Sequence, residues 1–390
     1  MLRAAFSSFV FGLALAGQSL SLAAFETQAT SAFVLDYTTG TVLLSKDADV
    51  PLPPASMSKL MTLYVAFEAV RDGRLKLDEE LRVSEHAMSY TGSTMFLQAG
   101  ERVKVEDLLR GIIVLSGNDA CAVIAEALSP DGTEAGFARF MTERAKALGM
   151  THSTFANANG WPDPRHRMSM RDLAILGTKV IEDFPEFYAM FAEKEFLFDK
   201  KESQNRFNRN PLLGLGIGAD GLKTGHTKEA GYGLVGSVKQ GARRIVFVIS
   251  GLQTEQARAR EAEAITNWAF RQFTTAQLLE EGQIVAEAKV WMGEQATVQL
   301  SAAKALNTLV PTGTTDRKVE AEVIYDSPLK APVMAGDQVG KLIIRPEGLA
   351  ATEVPLIAAQ TVEQGGVMVR LKMASQRVVK KLMAEAEGAL

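Results

Sequence analysis

Pro53-Pro54-Ala55-Ser56-Met57-Ser58-Lys59-Leu60-Met61-Thr62 is where the chain stops reading as strand and begins to read as helix. Two prolines in a row cannot join a strand ladder or sit inside a helix, yet they suit the residues just ahead of a helix start. Beyond them Met57, Leu60, Met61, Tyr64, Phe67 and Ala69 recur at helical spacing, which predicts a buried helix over Ser56–Val70. On such a helix Ser56 and Lys59, three residues apart, project from the same face. The N-terminal end of a helix also favours negative charge developing on the serine.

Upstream, Ala32–Asp36 and Thr41–Leu44 are apolar, β-prone runs joined by Tyr37-Thr38-Thr39-Gly40, the pattern of a hairpin. Downstream, Val105, Leu108, Leu109, Ile112 and Ile113 form one helical face over Val105–Leu115, and a second helix resumes at Ala120 after the polar break Ser116-Gly117-Asn118-Asp119. Gly221–His226, Tyr232–Val238 and Arg244–Ser250 are short runs spaced by glycine-rich turns, which predicts neighbouring antiparallel strands. Strands on both sides of a helical segment imply an antiparallel sheet covered by helices, an α/β (α+β) fold. Past residue 275 the helical signal fades, and Ile284–Trp291, Ala296–Leu300, Val319–Tyr325 and Val339–Arg345 read as strands of a small all-β domain.

The chain has 390 residues, enough for two or three domains at roughly 100–200 residues each. Its 47% hydrophobic and 23% charged residues exclude a disordered or collagenous chain and a polytopic membrane protein. The 42 Lys and Arg against 46 Asp and Glu leave a formal charge of −4, so no overall basic field points to nucleic acid. Arg3 followed by the short apolar run Phe9–Gly17 and the small residues Ser21-Leu22-Ala23-Ala24 reads as a secretory signal, with the mature chain starting at Ala24 or Phe25. An uncleaved anchor is disfavoured, because the run falls below the ~20 residues a span needs. Cys121 is the only cysteine, so no intramolecular disulfide forms, and its apolar neighbours make it a core residue.

The expected organisation is therefore a signal peptide over residues 1–24, a catalytic domain over 25–275, a small β-rich domain over 276–366 and a tail over 367–390. In that tail Met368, Leu371, Val378 and Leu382 fall near one helical face beside Arg370, Lys372, Arg377, Lys380 and Lys381. This is the pattern of a basic amphipathic helix, and it predicts peripheral attachment to a membrane surface.

Ser56-Met57-Ser58-Lys59 fits the pattern S-x-x-K, which the chain contains three times. Ser301-Ala302-Ala303-Lys304 and Ser327-Pro328-Leu329-Lys330 lie in the β-rich part with no further motif after them. The first copy opens the apolar helix and is followed by Ser116-Gly117-Asn118 in the break between helices, then by Lys223-Thr224-Gly225 on an expected strand. Ser203-Gln204-Asn205 is a competing Ser-x-Asn match without the helix-loop-helix setting. Together the three pieces resemble the signature of the serine penicillin-recognising proteins. With PASMSKLMT, SGNDAC, GLKTGHTKEAGY and REAE, the mature chain resembles the low-molecular-mass D-alanyl-D-alanine carboxypeptidases over most of its length.

The resemblance implies removal of the terminal D-Ala from peptidoglycan stem peptides through an acyl-serine, with inhibition by β-lactam antibiotics and no cofactor or catalytic metal. Ser56 would be the nucleophile. Lys59 would be its base, which requires the neutral amine and so a pKa lowered by burial and a neighbouring cation, for which Lys223 is the candidate. Ser116 would relay a proton to the departing amine, and Asn118 would hold substrate or Lys59. Lys223, Thr224 and Arg260 would receive the substrate carboxylate, with Gly225 on the same strand and Arg209 near the pocket. The backbone N–H groups of Ser56 and His226 would form the oxyanion hole.

Other patterns fail on context. Gly216-Ile217-Gly218-Ala219-Asp220-Gly221 fits a dinucleotide fingerprint but leads into an expected strand where that motif opens a helix, and His86, His152, His166 and His226 form no H-E-x-x-H. The rival functions are a serine β-lactamase, for which no E-x-x-L-N-like segment lies between Asn118 and Lys223, a DD-endopeptidase using the same machinery, and a non-catalytic wall-binding protein. The sequence leaves the oligomeric state open.

Overall fold

In the computed structural model, which describes residues 25–198, 205–312, 319–346, 351–368, 371 and 375, the expected hairpin forms as β1 (Ser31–Asp36) and β2 (Thr41–Lys46). The expected signal peptide and most of the expected tail lie outside the described residues. After the prolines comes a 3₁₀ turn, Ala55–Ser58, and only then α1 (Lys59–Arg71). Ser56 thus sits in a tighter turn than the α-helix expected from the spacing, one in which residues i and i+3 eclipse. Helix α1 is buried on all sides from Lys59 to Phe67, as befits a helix apolar all round.

Next come β3 (Glu80–Arg82), α2 (Glu85–Met88), β4 (Arg102–Lys104) and α3 (Val105–Arg110). The expected helix through Leu115 instead changes hydrogen bonding at Gly111 and ends as a π turn, Gly111–Leu115. Ser116 follows in the left-handed region at φ 61°, so that α4 (Asn118–Leu128) begins two residues earlier than Ala120. A π turn closed by a strained residue is a common device for turning side chains toward a functional site. The helical layer continues with α5 (Glu134–Ala147), α6 (Met170–Asp183) and α7 (Pro185–Tyr188).

Strands β5 (Ala219–Thr227), β6 (Gly231–Gln240) and β7 (Arg243–Leu252) complete an antiparallel sheet in the order β2-β1-β7-β6-β5, and α8 (Glu255–Gln272) follows. The central strands read as unbroken apolar runs because both faces are covered. Phe33, Val235 and Val248 face the core shared with α1, α4 and α6, whereas Ala32, Val34, Leu234, Phe247 and Ile249 face a second core with Ala262, Ile265 and Ala269 of α8. This first compact unit runs to Arg271.

The second unit starts at Gln272. It holds β8 (Phe273–Leu279) paired with β11 (Leu306–Pro311), and a six-stranded sheet of β12 (Val319–Tyr325), β14 (Gln338–Pro346), β15 (Thr352–Ala358), β10 (Thr297–Ala302), β9 (Ile284–Trp291) and β13 (Leu329–Lys330) in that order. Leu300, Leu342, Ile344 and Leu356 lie in its own core. Ser301 of the second S-x-x-K copy lies on β10, which ends at Ala302, so no helical turn joins it to Lys304 as one joins Ser56 to Lys59.

Candidate active site

Lys59 Nζ lies 2.7 Å from Ser56 Oγ, 2.7 Å from Asn118 Oδ1 and 2.5 Å from the carbonyl of Asn159. Three acceptors match the three protons of an ammonium. A neutral amine has only two, and with these given to Asn118 and Asn159 its lone pair is left facing the Ser56 hydroxyl. Lys59 is fully buried, and burial pushes its pKa down to about 8. Arg209 lowers it further, while Cys121, Asp119 and Glu134 pull the other way.

Lys223, on β5, donates to Ser116 Oγ at 3.0 Å and to its neighbour's carbonyl, Thr224 O, at 3.1 Å. It is buried as well, and burial first, then the nearby charges of Lys59 and Arg209, hold its pKa well below the usual lysine range. For Lys59, burial is the main cause and Arg209 the cation that adds to it; the charges of Lys59 and Lys223 oppose each other at the site.

Ser116, Asn118 and Asp119 are set by the end of the π turn. Asn118 Nδ2 donates to Thr91 O at 2.9 Å and its backbone N–H to Ser93 O at 2.7 Å. The buried Asp119 carboxylate accepts the N–H groups of Met95, at 2.9 Å to the nearer oxygen, and Leu97, at 3.2 Å. Burial raises the Asp119 pKa, against the backbone donors that lower it. Together these bonds fasten the 91–97 loop beside the Ser116 turn. Cys121, one turn into α4, is buried, and its thiol is pushed up to about 12, which leaves it unreactive.

On β5, Gly225 abuts the Ser56 turn so closely that a Cβ would stand 3.0 Å from Pro54 O and 3.1 Å from Met57 N. Thr224 is buried, and His226 is exposed with its ring stacked on Tyr232 at 3.9 Å. Arg209 donates to Ser93 Oγ, Leu115 O and Asn205 Oδ1, which ties it to the chain just before Ser116. Asn205, the end of the competing Ser-x-Asn match, thus reaches this wall through its side chain.

Arg260 does not join the cluster. It is exposed on α8, whereas Arg258 is 3% exposed, donates to Arg209 O at 3.1 Å and lies over the Tyr232 ring. Two residues along a helix turn through about 200°, so the two arginines face opposite ways. The periodicity of Ala262, Ile265 and Ala269 carried that information, since 258 falls on their stripe. Asn159 left no such signal, because it acts through its backbone carbonyl.

Among the described residues no group of three side chains able to hold a metal ion occurs, and no helix is long and apolar enough to cross a membrane. A family model described as D-alanyl-D-alanine carboxypeptidase matches residues 18–254, and one described as penicillin-binding protein 5, C-terminal domain, matches residues 273–364. The chain is 36% identical over 346 residues to D-alanyl-D-alanine carboxypeptidase DacC of Escherichia coli K12, covering 87% of this chain and 85% of that one. It is 33% identical to DacF of Bacillus subtilis 168, covering 88% of each. Among solved structures, penicillin binding protein 5 from Haemophilus influenzae is similar at 33% identity with a TM-score of 0.76, over 87% of this chain and 98% of that one. Penicillin binding protein 6B from Escherichia coli is similar at 31% identity and 0.68, with the same coverage.

Proposed function

Because the chain belongs to the D-alanyl-D-alanine carboxypeptidase family, we propose that its serine carboxypeptidase activity runs through an ester on Ser56. The observation that carries this reading is the Lys59 amine 2.7 Å from Ser56 Oγ, buried and with its other bonds already directed at Asn118 and Asn159. Neutral Lys59 takes the hydroxyl proton as Oγ attacks the carbonyl of the penultimate D-Ala. The oxyanion is received by the N–H groups of Ser56 and His226. On collapse the C–N bond breaks, and the proton held by Lys59 passes through the Ser116 hydroxyl, with Lys223 beside it, to the departing D-Ala amine, which leaves Lys59 neutral again. Water, deprotonated by Lys59, then attacks the ester carbonyl, and that proton returns from Lys59 to Ser56 Oγ as it leaves.

Thr224 and Arg209 receive the terminal carboxylate, and Arg258 braces Arg209 from behind. A β-lactam enters the same steps, its ring amide taking the place of the scissile bond. The test is a time course of intact mass after mixing the mature chain with benzylpenicillin, with Ser56→Ala as control. An adduct that lasts for minutes and is absent from the variant is expected. Rapid antibiotic turnover without an adduct would point to a β-lactamase, and neither adduct nor turnover to a non-catalytic wall-binding protein.

The substrate lies outside the cytoplasm, and the N-terminal sequence suits export. We further propose that the tail attaches the enzyme to the outer face of the cytoplasmic membrane. Val367, Met368 and Leu371, at helical spacing, are 70%, 78% and 66% exposed, consistent with an unpartnered apolar face. Anionic vesicles should retain the mature chain and release a chain ending at Gly366, and equal binding of both would refute the attachment.

A further inference from the structure

Glu134, in the first turn of α5, belongs to none of the motifs that define the site, yet it is 9% exposed and its carboxylate collects three donors. Tyr90 OH reaches Oε2 at 2.7 Å, His86 Nε2 reaches the same oxygen at 2.8 Å, and the N–H of Ala158 reaches Oε1 at 2.9 Å. Ionised carboxylates only accept, so His86 donates from Nε2. A buried carboxylate with this set of donors resists displacement, since losing it strands the buried N–H of Ala158 and costs the half-buried Tyr90 its partner, while the exposed His86 can turn to water.

His86 lies on α2, and the other two donors lie on loops that each lead to Lys59. Tyr90 precedes Thr91, whose carbonyl accepts from Asn118 Nδ2, and Asn118 Oδ1 in turn accepts from Lys59. Ala158 precedes Asn159, whose carbonyl accepts directly from Lys59, and the Ala158 carbonyl takes Thr62 Oγ1 at 2.6 Å. The Tyr90 and Trp161 rings also meet edge to face at 5.9 Å, which links the two loops a second time. Asn159 is thus one residue removed from a group held by this carboxylate, and Asn118 is hydrogen-bonded through Nδ2 to Thr91, which is one residue removed from another.

We propose that Glu134 is a positioning residue for the proton transfer: by holding Tyr90 and Ala158 together it keeps Asn118 Oδ1 and Asn159 O in register, so that the Lys59 lone pair faces Ser56. The proposal rests on Lys59 acting as the base for Ser56. The carboxylate also favours the charged form of Lys59, together with Cys121 and Asp119 of α4 and against Arg209; Lys223 of β5 is the other ionisable group at the site, and His86 and Tyr90 are those that face Glu134 itself. Loss of the charge and loss of the geometry therefore leave different marks.

The test is the second-order rate of acylation by a fluorescent penicillin from pH 6 to 10, on the full mature chain, with melting temperatures measured alongside. Displacements of about 1 Å in such a constellation cost on the order of 100-fold. Glu134→Ala is expected to lower the high-pH plateau by about 30-fold or more. Glu134→Gln, which keeps an acceptor for Ala158 and a polar partner for Tyr90, is expected to restore most of the plateau while moving the midpoint to lower pH. Should Glu134→Ala not fold, Glu134→Asp, which keeps the charge and draws the carboxylate back by one methylene, takes its place: a plateau within about threefold of the wild type overturns the proposal. So does a Glu134→Ala plateau within about threefold of the wild type, or equal slowing of both variants at every pH with no change of midpoint. Lys59→Ala run in parallel separates the premises, since wild-type rates in that variant would refute the base itself and not the role of Glu134.

Discussion

At the scale of single residues, the chemistry turns on how far Lys59 is from the ordinary behaviour of a lysine. With its pKa pushed down to about 8, the neutral, basic form is a minority at pH 7 and falls tenfold for each further unit of acid. The acylation rate should therefore rise tenfold per unit toward a midpoint near pH 8 and level off above it, a profile that stopped-flow acylation over pH 6–10 would record. A flat profile would mean that Lys59 is not the base. The arginines give a second contrast. Arg258→Ala removes a buried guanidinium bonded to Arg209 O, and charged hydrogen bonds are worth about 1.5–3 kcal/mol, so kcat/KM on a D-Ala-D-Ala peptide should fall by about tenfold or more. Arg260→Ala, on the solvent side of α8, should stay within about twofold. Ser56, Lys59, Ser116, Asn118 and Lys223 were legible because their side chains fall into short motifs. Asn159 and Arg258 were not, one because any residue supplies a carbonyl, the other because choosing between two arginines on one helix needs its buried stripe.

At the scale of elements, the site depends on how loops meet the Ala55–Ser58 turn. Gly160 adopts φ 79°, and a Cβ there would stand 2.0 Å from Ala55 O, one residue before Ser56. Gly160→Ala must either move that turn or move the 157–161 loop that carries Asn159 O. A destabilisation of about 2–4 kcal/mol is expected, with slowed acylation in the molecules that stay folded. Thermal melting and penicillin acylation would check the two effects, and normal values for both would show that the loop yields freely. Hydrophobic period located β1, β2, β5, β6, β7 and α1 because those segments are paired or packed along their length. It ran α3 on through Leu115 because Gly111–Leu115 is apolar and buried like a helix, and nothing in apolar spacing distinguishes a π turn from an α turn. The left-handed Ser116 is likewise invisible to period, since its backbone is held by its surroundings and not by its side chain.

At the scale of the whole molecule, Ser56, Lys59, Ser116, Asn118, Asn159, Arg209, Lys223 and Arg258 all fall before residue 272, within the first unit. Both of its apolar clusters draw only on residues up to Phe270, and the cluster around Leu300 and Leu356 only on residues from Leu278 onward. Cores that share no side chain need not melt together, because cooperativity follows contiguous packing. The texture change past residue 275 marked the second unit in the sequence, but β8 starts at Phe273, its partner β11 lies 27 residues beyond its end, and a pairing that distant leaves no local sign. A chain of residues 25–272 should fold and be acylated by benzylpenicillin within about threefold of the mature protein's rate, since no catalytic side chain is removed. Calorimetry of the full mature chain should then resolve two transitions, only the one retained by the fragment rising in temperature when penicillin is bound, because a ligand stabilises only the unit that holds it. A single transition in the full chain together with an unfolded fragment would mean that the β unit is part of the catalytic fold.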